Sequence, residues 1–343
     1  MSKITLQQVD AVMSRSAETI VYSDAESGLR GVLVIETTRG TTAVGGTRFM
    51  PYPSVSAALV EMGEFARAVT YKSVLSGLPC GGAKGAILGD PTALKTDDLL
   101  RAFGRVVQRL GGLYTVTPDW GMSPSDLKVV ATQCDYVTGV SGGTEPLVAA
   151  GVIEGIKGAH LFRTGSSSLN GLRVGIEGLG MAGPYLIEGL LKEGAIVIAG
   201  EANAALRAKY ATQFPAVEFL DSVAALQAVE LDAYCPCSGS GSLTQRFAEN
   251  ARIGIICGAA NGQLATSSVE DSLTARDITY VPEFAANGGG VIYCYEEAVG
   301  YNADRANKAV ASIRNTVTDI LSRARAEQRS ATALAIEIAE ERL

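Results

Sequence analysis

Two lysines stand 12 positions apart in Lys72-Ser-Val-Leu-Ser-Gly-Leu-Pro-Cys-Gly-Gly-Ala-Lys84. Lys72 falls at the end of an apolar stretch with helical spacing. Lys84 follows a glycine turn at the mouth of an expected strand. Ammonium groups are ordinarily left in water. One that is stripped of water and set beside a second cation gives up its proton more readily, which suits a lysine to act as a base at neutral pH. Spacing alone leaves a solvated surface role equally open. A carboxylate follows at Pro118-Asp119, where the local sequence also reads as an ordinary turn aspartate.

A second constellation is Gly178-Leu-Gly180-Met181-Ala182-Gly183. It comes directly after the strand-like Arg173–Glu177 and directly before a helical segment from Pro184 to Glu193. The first glycine permits a tight turn, the second lets backbone approach a pyrophosphate, and the third lets helix and strand pack closely, with the helix N-terminus facing the anion. Glu201 lies 23 residues after Gly178, beyond the next strand-like run Ala195–Ala199. An acid at that place bonds the ribose hydroxyls of a dinucleotide. A carboxylate would repel the extra phosphate of NADP, so NAD is the expected cofactor.

The elements around these residues divide in two. The 343 residues exceed one compact core. Strand-like runs at Gly31–Glu36 and Thr41–Val44, a helix capped by Ser54 and running to about Val74, and a helix opened by Thr96 describe a mixed α/β first part. Composition changes near Ser141–Thr144. A helix from about Leu147 to Arg163 leads into alternating strand and helix, with buried-type strands at Ala233–Cys235, Ile253–Cys257 and Thr279–Val281, the pattern of a doubly wound parallel sheet. The expected architecture is α/β in two domains: residues 1–143 for substrate binding and oligomerisation, 144–310 as a Rossmann-type dinucleotide domain, and a terminal helix, 311–343, packing back on the first. A helix break is expected near Ser330.

Composition bounds the rest. Net charge is −7 with no long basic run, which argues against a nucleic-acid partner. No apolar run of about 18 residues predicts a membrane span. The N-terminal residues carry no secretory pattern, so the cytoplasm is expected. The six cysteines are scattered, and Cys235-Pro236-Cys237 with the single His160 does not make a zinc site. No metal is expected.

Several motifs occur in one order: Gly45-Gly46-Thr47-Arg48, Lys72, Gly77-Leu78-Pro79-x-Gly-Gly-x-Lys84, Pro118-Asp119, Gly258-Ala-Ala260-Asn261-x-Gln-Leu, and Pro282-Glu-Phe-x-x-Asn287-x-Gly-Gly-Val-Ile292. In this the chain resembles the leucine/phenylalanine/valine dehydrogenase family from about residue 28 onward. The resemblance implies a reaction in which an L-amino acid, NAD and water give a 2-oxo acid, ammonia and NADH. It implies that Lys72 binds the substrate carboxylate, Lys84 activates water and Asp119 exchanges protons with the nitrogen. Asn261 and the Pro118 carbonyl would orient the amino group beside Gly46. Ala260 and Asn287 would lie on the cofactor side. Val44, Thr117, Val291 and Cys294 match the family's side-chain pocket, with Trp120 and Tyr293 as further candidates. That mix suits a medium or large hydrophobic side chain and leaves leucine, valine, phenylalanine and tryptophan open. A homo-oligomer assembled through the first domain is implied as well.

The family's Ser-Pro-x-Thr-Ala stretch is replaced by Glu145-Pro146-Leu147-Val148-Ala149, and its Asn-Ala-Gly-Gly by Asn287-Gly288-Gly289-Gly290. Three readings follow: an amino-acid dehydrogenase, a related nicotinamide enzyme acting on an unusual amino or 2-oxo acid, or a silent nucleotide-binding regulator. Retention of Lys72, Lys84, Asp119 and Asn261 together argues against the silent reading.

Overall fold

A computed structural model describes residues 4–343. The chain forms two compact units, one running through Thr144 and taking in Val291–Ala306, the other Glu145–Gly290 with Asn307–Arg342. In the first unit the order is α1 (Leu6–Arg15), β1 (Glu18–Asp24), β2 (Leu29–Ile35), β3 (Ala43–Met50), α2 (Val55–Leu75), β4 (Gly81–Leu88), α3 (Pro91–Leu94), α4 (Asp97–Arg109), β5 (Tyr114–Thr117) and α5 (Pro124–Val130). There follow α6 (Thr144–Thr164), β6 (Arg173–Glu177), α7 (Gly183–Lys192), β7 (Ile196–Gly200), α8 (Ala204–Gln213), β8 (Glu218–Leu220), α9 (Val223–Gln227), β9 (Leu231–Pro236), α10 (Gln245–Asn250), β10 (Ile253–Ile256), α11 (Ser268–Ala275), β11 (Thr279–Tyr280), α12 (Glu283–Ala286), α13 (Gly289–Ala298), α14 (Ala303–Glu327) and α15 (Ala331–Glu341).

The first sheet has the order β1-β2-β4-β3-β5. β2 pairs antiparallel with β1 and with β4, while β4, β3 and β5 are parallel. Its two faces bury separate apolar clusters. One is built on Phe49, Phe103 and Tyr114, the other on Val32, Met62 and Ala86 beneath α2. Ser54 caps α2 by accepting from Ala57 N, and Thr96 caps α4 by accepting from Leu99 N, as serine and threonine do for the unpaired N–H groups of a first turn.

The second sheet has the order β11-β10-β9-β6-β7-β8 and every pairing is parallel. Read from β6, this is the doubly wound arrangement whose strand order reverses between β6 and β9, the place where such folds bind dinucleotides.

Two boundaries differ from the sequence reading. The terminal segment Asn307–Arg342 belongs to the second unit. Arg314 on α14 pairs with Glu154 on α6, Thr318 bonds the Gly158 carbonyl, and Ser330 and Thr332 N at the start of α15 bond the buried Glu270. The segment that does join the first unit is Val291–Ala306. On it, Glu297 accepts from Gly139 N and from Ser141 Oγ. Among the described residues no helix is long and apolar enough to cross a membrane.

Candidate active site

Strand β3 lies between β4 and β5. Its register sets Val44 opposite Gly82 and Thr47 opposite Gly85, and so Gly46 beside Lys84; on the other side Gly46 is opposite Thr117. Alternation along each strand brings Val44, Gly46, Arg48, Lys84 and Thr117 to one face. Helix α2 covers that face closely. Gly82 N donates to Thr70 Oγ1 at 3.1 Å, and a β-carbon at Gly82 would lie 2.3 Å from Thr70 N. On α2, Phe65 and Lys72 are seven residues apart and share a helix face.

Lys84 Nζ is ion-paired with Asp119 Oδ2, and both side chains are largely buried, 13% and 17% exposed. The other carboxylate oxygen, Oδ1, accepts the Trp120 N–H at 2.6 Å and lies 3.5 Å from Arg48 Nε. Burial works to raise the Asp119 carboxyl, but Lys84, the Trp120 N–H and Arg48 together outweigh it and hold the carboxyl below the usual carboxylate range. Asp119 is therefore a carboxylate at neutral pH. Gly46 makes this approach possible: a β-carbon there would sit 2.9 Å from Asp119 Oδ2 and 2.9 Å from the Pro118 carbonyl oxygen.

The expected residues Lys84, Asp119, Gly46 and Pro118 are thus in one place. Lys72 is half-buried in the last turn of α2. Val44, Thr117 and Cys294 are buried. Cys294 Sγ and Pro118 Cδ both flank Gly139, within 3.8 Å and 2.5 Å of where its β-carbon would stand. Val291 is half-buried one turn before Cys294 on α13. Tyr293 is buried with its ring against Gly143, a packing role. Trp120 is 72% exposed. The sequence reading passed over Arg48 and its contacts Phe65 and Glu61. The signal for Arg48 was its position two residues beyond Gly46 on the same strand face.

In the second unit the glycine turn joins β6 to α7. Gly178 adopts φ +87°, and a β-carbon at Gly183 would lie 2.6 Å from the Gly178 carbonyl oxygen. A β-carbon at Gly180 would meet nothing within 4 Å, which leaves its backbone open to an approaching anion. Met181 is 78% exposed and Ala182 half-buried at the helix start. Glu201 follows β7. Its Oε2 accepts from Leu179 N in the glycine turn and its Oε1 from Asn203 N, each at 2.8 Å, and a carboxylate retains further acceptor capacity. Arg207 is close by, but its NH1 bonds the carbonyls of Glu201 and Ala202 at 2.6 and 2.9 Å, so it braces the loop. These features fit a dinucleotide.

A third group follows β10. Asn287 Nδ2 donates to the Ala259 carbonyl and to Asn261 Oδ1, at 3.1 and 3.0 Å, and Gln263 Nε2 donates to the carbonyls of Gly258 and Ala260. The loop carrying Ala260 and Asn261 is therefore pinned from both sides. Asn287 Oδ1 is buried with no hydrogen-bond partner among the described residues, the condition of an acceptor kept for a ligand. Asn261 belongs to this second unit, as do the altered residues Glu145–Ala149, which lie at the start of α6. A β-carbon at Gly289 would fall 1.9 Å from the Leu147 carbonyl oxygen, so glycine there lets two backbones touch.

Residues 16–136 match the family model for the Glu/Leu/Phe/Val dehydrogenase dimerisation domain, and residues 200–340 that for Glutamate/Leucine/Phenylalanine/Valine dehydrogenase. A valine dehydrogenase from Streptomyces virginiae is 36% identical over 333 residues, covering 95% of this chain and 93% of the relative. The chain belongs to the Glu/Leu/Phe/Val dehydrogenase family. A leucine dehydrogenase from Bacillus cereus is 33% identical over 350 residues, covering 99% of this chain and 94% of that one. An L-tryptophan dehydrogenase structure from Nostoc punctiforme superposes with a TM-score of 0.87 at 28% identity, covering 98% of each chain. A hetero-hexameric glutamate dehydrogenase from Thermus thermophilus shares the fold, with a TM-score of 0.76 at 19% identity over 98% of this chain and 94% of that one. The protein is an amino-acid dehydrogenase, an oxidoreductase acting on the CH–NH2 group.

Proposed function

We propose that this amino-acid dehydrogenase uses NAD to convert a hydrophobic L-amino acid to its 2-oxo acid and ammonia, and that it catalyses the reverse amination. The observation that carries the reading is the Lys84–Asp119 ion pair seated over Gly46, a largely buried pair on one sheet face suited to exchanging protons. When bound, NAD supplies the acceptor for the two electrons leaving the substrate Cα–H bond.

The chain's own groups do the rest. Lys72 offers a single positive charge to the substrate carboxylate. The Pro118 carbonyl accepts a hydrogen bond from the amino group and orients it, and Gly46 leaves it room. Lys84 takes a proton from the water that adds to the imine carbon. Asp119 takes a proton from the substrate ammonium, returns it to the nitrogen of the carbinolamine, and takes up the hydroxyl proton as the C–N bond breaks and the C=O bond forms, so ammonia departs neutral. Val44, Thr117, Val291 and Cys294 form the wall for a hydrophobic side chain.

On the cofactor side, Gly178, Gly180, Met181, Ala182 and Gly183 present backbone to the pyrophosphate at the start of α7. Glu201 takes the ribose hydroxyls and disfavours a 2′-phosphate. Ala260 and Asn287 hold the nicotinamide end. The first unit carries the contacts of a homo-oligomer, a reading supported by the dimerisation-domain description of its family match.

The test is to follow NADH absorbance at alkaline pH with a panel of L-amino acids, supplying NAD and NADP in parallel. Turnover with leucine, valine, phenylalanine or tryptophan, and preference for NAD, is the expected result. Silence across the panel in protein that still binds NAD would sink the reading.

A further inference from the structure

We propose that Arg48 is a positioning residue for the dehydrogenase reaction, one that holds the Asp119 carboxylate with Oδ2 turned to Lys84. The inference rests on the proposed roles of Lys84 and Asp119. Arg48 stands two residues beyond Gly46 on the same face of β3. Its guanidinium lies over the Phe65 ring, 4.2 Å from the centroid, and its NH1 donates to Glu61 Oε1 at 2.9 Å. Ring and carboxylate both come from α2, one helical turn apart, so the guanidinium is fixed in two directions. Its Nε is buried, without a hydrogen bond, and 3.5 Å from Asp119 Oδ1. That distance is long for a hydrogen bond, so the interaction with Asp119 is that of a charge in a place of restricted solvent. The Trp120 N–H occupies the same oxygen.

The two carboxylate oxygens are thereby made unequal: Oδ1 faces a fixed cation and a fixed N–H, and Oδ2 faces the lysine. A carboxylate free to turn would share its oxygens between Lys84 and Arg48, and a proton leaving Lys84 would have no set destination. Four charges alternate in sign across the site, Lys84 from β4, Asp119 after β5, Arg48 from β3 and Glu61 from α2. The buried phenol of Tyr114 faces Asp119 from β5. The Phe65 ring also lies 5.6 Å from Lys84 Nζ, so one aromatic surface registers both cations.

The sole tryptophan of the chain, Trp120, bonds Asp119 through its backbone N–H, so its emission is expected to respond to protonation of that carboxylate without turnover. The experiment titrates Trp120 emission against pH in the substrate-free full chain and measures kcat/KM against pH, for the wild type, R48Q and R48K. Removing a positive neighbour makes protonation of Asp119 easier. In R48Q the acid-side emission midpoint and the acid limb of kcat/KM should both move to higher pH, by about one unit, and R48K should restore most of both. Should R48Q fail to fold, F65L removes the platform under the guanidinium and should move both in the same direction by less. Midpoints unchanged from wild type in the folded variants, with only thermal stability altered, would overturn the proposal. If the wild type oxidises no amino acid, the functional reading fails, and the emission midpoints still decide whether Arg48 acts on Asp119.

Discussion

Gly46 and Asp119 are in contact so close that a methyl group on residue 46 would lie 2.8 Å from the Asp119 β-carbon. The carboxylate reaches Lys84 across β3 because that strand has no side chain at this point. The G46A variant crowds both the Asp119 side chain and the Pro118 carbonyl oxygen, so it should lose some stability, and Asp119 must withdraw from Lys84. A misplacement near 1 Å in a reacting group lowers rates on the order of 100-fold. Steady-state kinetics should show kcat/KM falling by about that factor with NAD affinity little changed. Wild-type kcat/KM in G46A would mean that the contact has no bearing on turnover.

Lys84 is assigned the base, and K84A should lower kcat by at least ~100-fold, the usual scale of general acid–base contributions. The glycine turn and Glu201 belong to the other unit. NAD binding, measured by calorimetry, should therefore stay within about threefold, well under the 1.4 kcal/mol of a tenfold change. An active K84A enzyme would remove Lys84 from the mechanism.

Asp119 links activity to acid stability. Burial opposes its charged form, but Lys84 above all, with the Trp120 N–H and Arg48, keeps the folded carboxyl below its ordinary value. A carboxyl lowered by folding adds stability that is fully present above its unfolded value, near 4, and is lost as pH falls through the lower folded value. In D119N that contribution is absent. Its urea midpoint should start lower at neutral pH, because Lys84 keeps its burial and loses its partner, and should fall less steeply than wild type below about pH 4. Parallel curves for the two proteins in that range would contradict the lowered carboxyl.

Glu201 accepts backbone N–H groups from the glycine turn and from the cap of α8, and the ribose reading adds a ligand to the same carboxylate. E201A should raise KM for NAD by roughly tenfold, about 1.4 kcal/mol, and should raise the ratio of NADP to NAD in kcat/KM because a repelling charge is gone. An unchanged ratio would show that Glu201 only braces the loop.

Much of this was readable from local sequence. Ser54 and Thr96 cap helices where their types and positions said they would, and Gly178 to Gly183 turns between strand and helix as the spacing required. Other elements were not readable. Strand β1 has one buried residue, Tyr22, in seven, and β8 is a three-residue edge strand with none. Neither carries the apolar alternation that marks a strand, because each is held by pairing with a neighbour and buries little of its own surface. The destination of the terminal helices was missed for a related reason. An amphipathic helix declares that it has an apolar face, but not which partner covers it, and here the partners on α11 and α6 come from residues 60 and 160 positions away.

The sequence by itself therefore determined the kinds of chemistry present: a pyrophosphate turn with an acid after the next strand, and two lysines with an aspartate in a set order. These are local facts, settled by residue type and short spacing. Only the tertiary structure decided that the Asp119 carboxylate meets Lys84 over the bare backbone of Gly46, and that Arg48 stands on the far side of it. Those contacts join strands whose pairing is non-local, and no spacing along the chain encodes which side chains a sheet will set side by side.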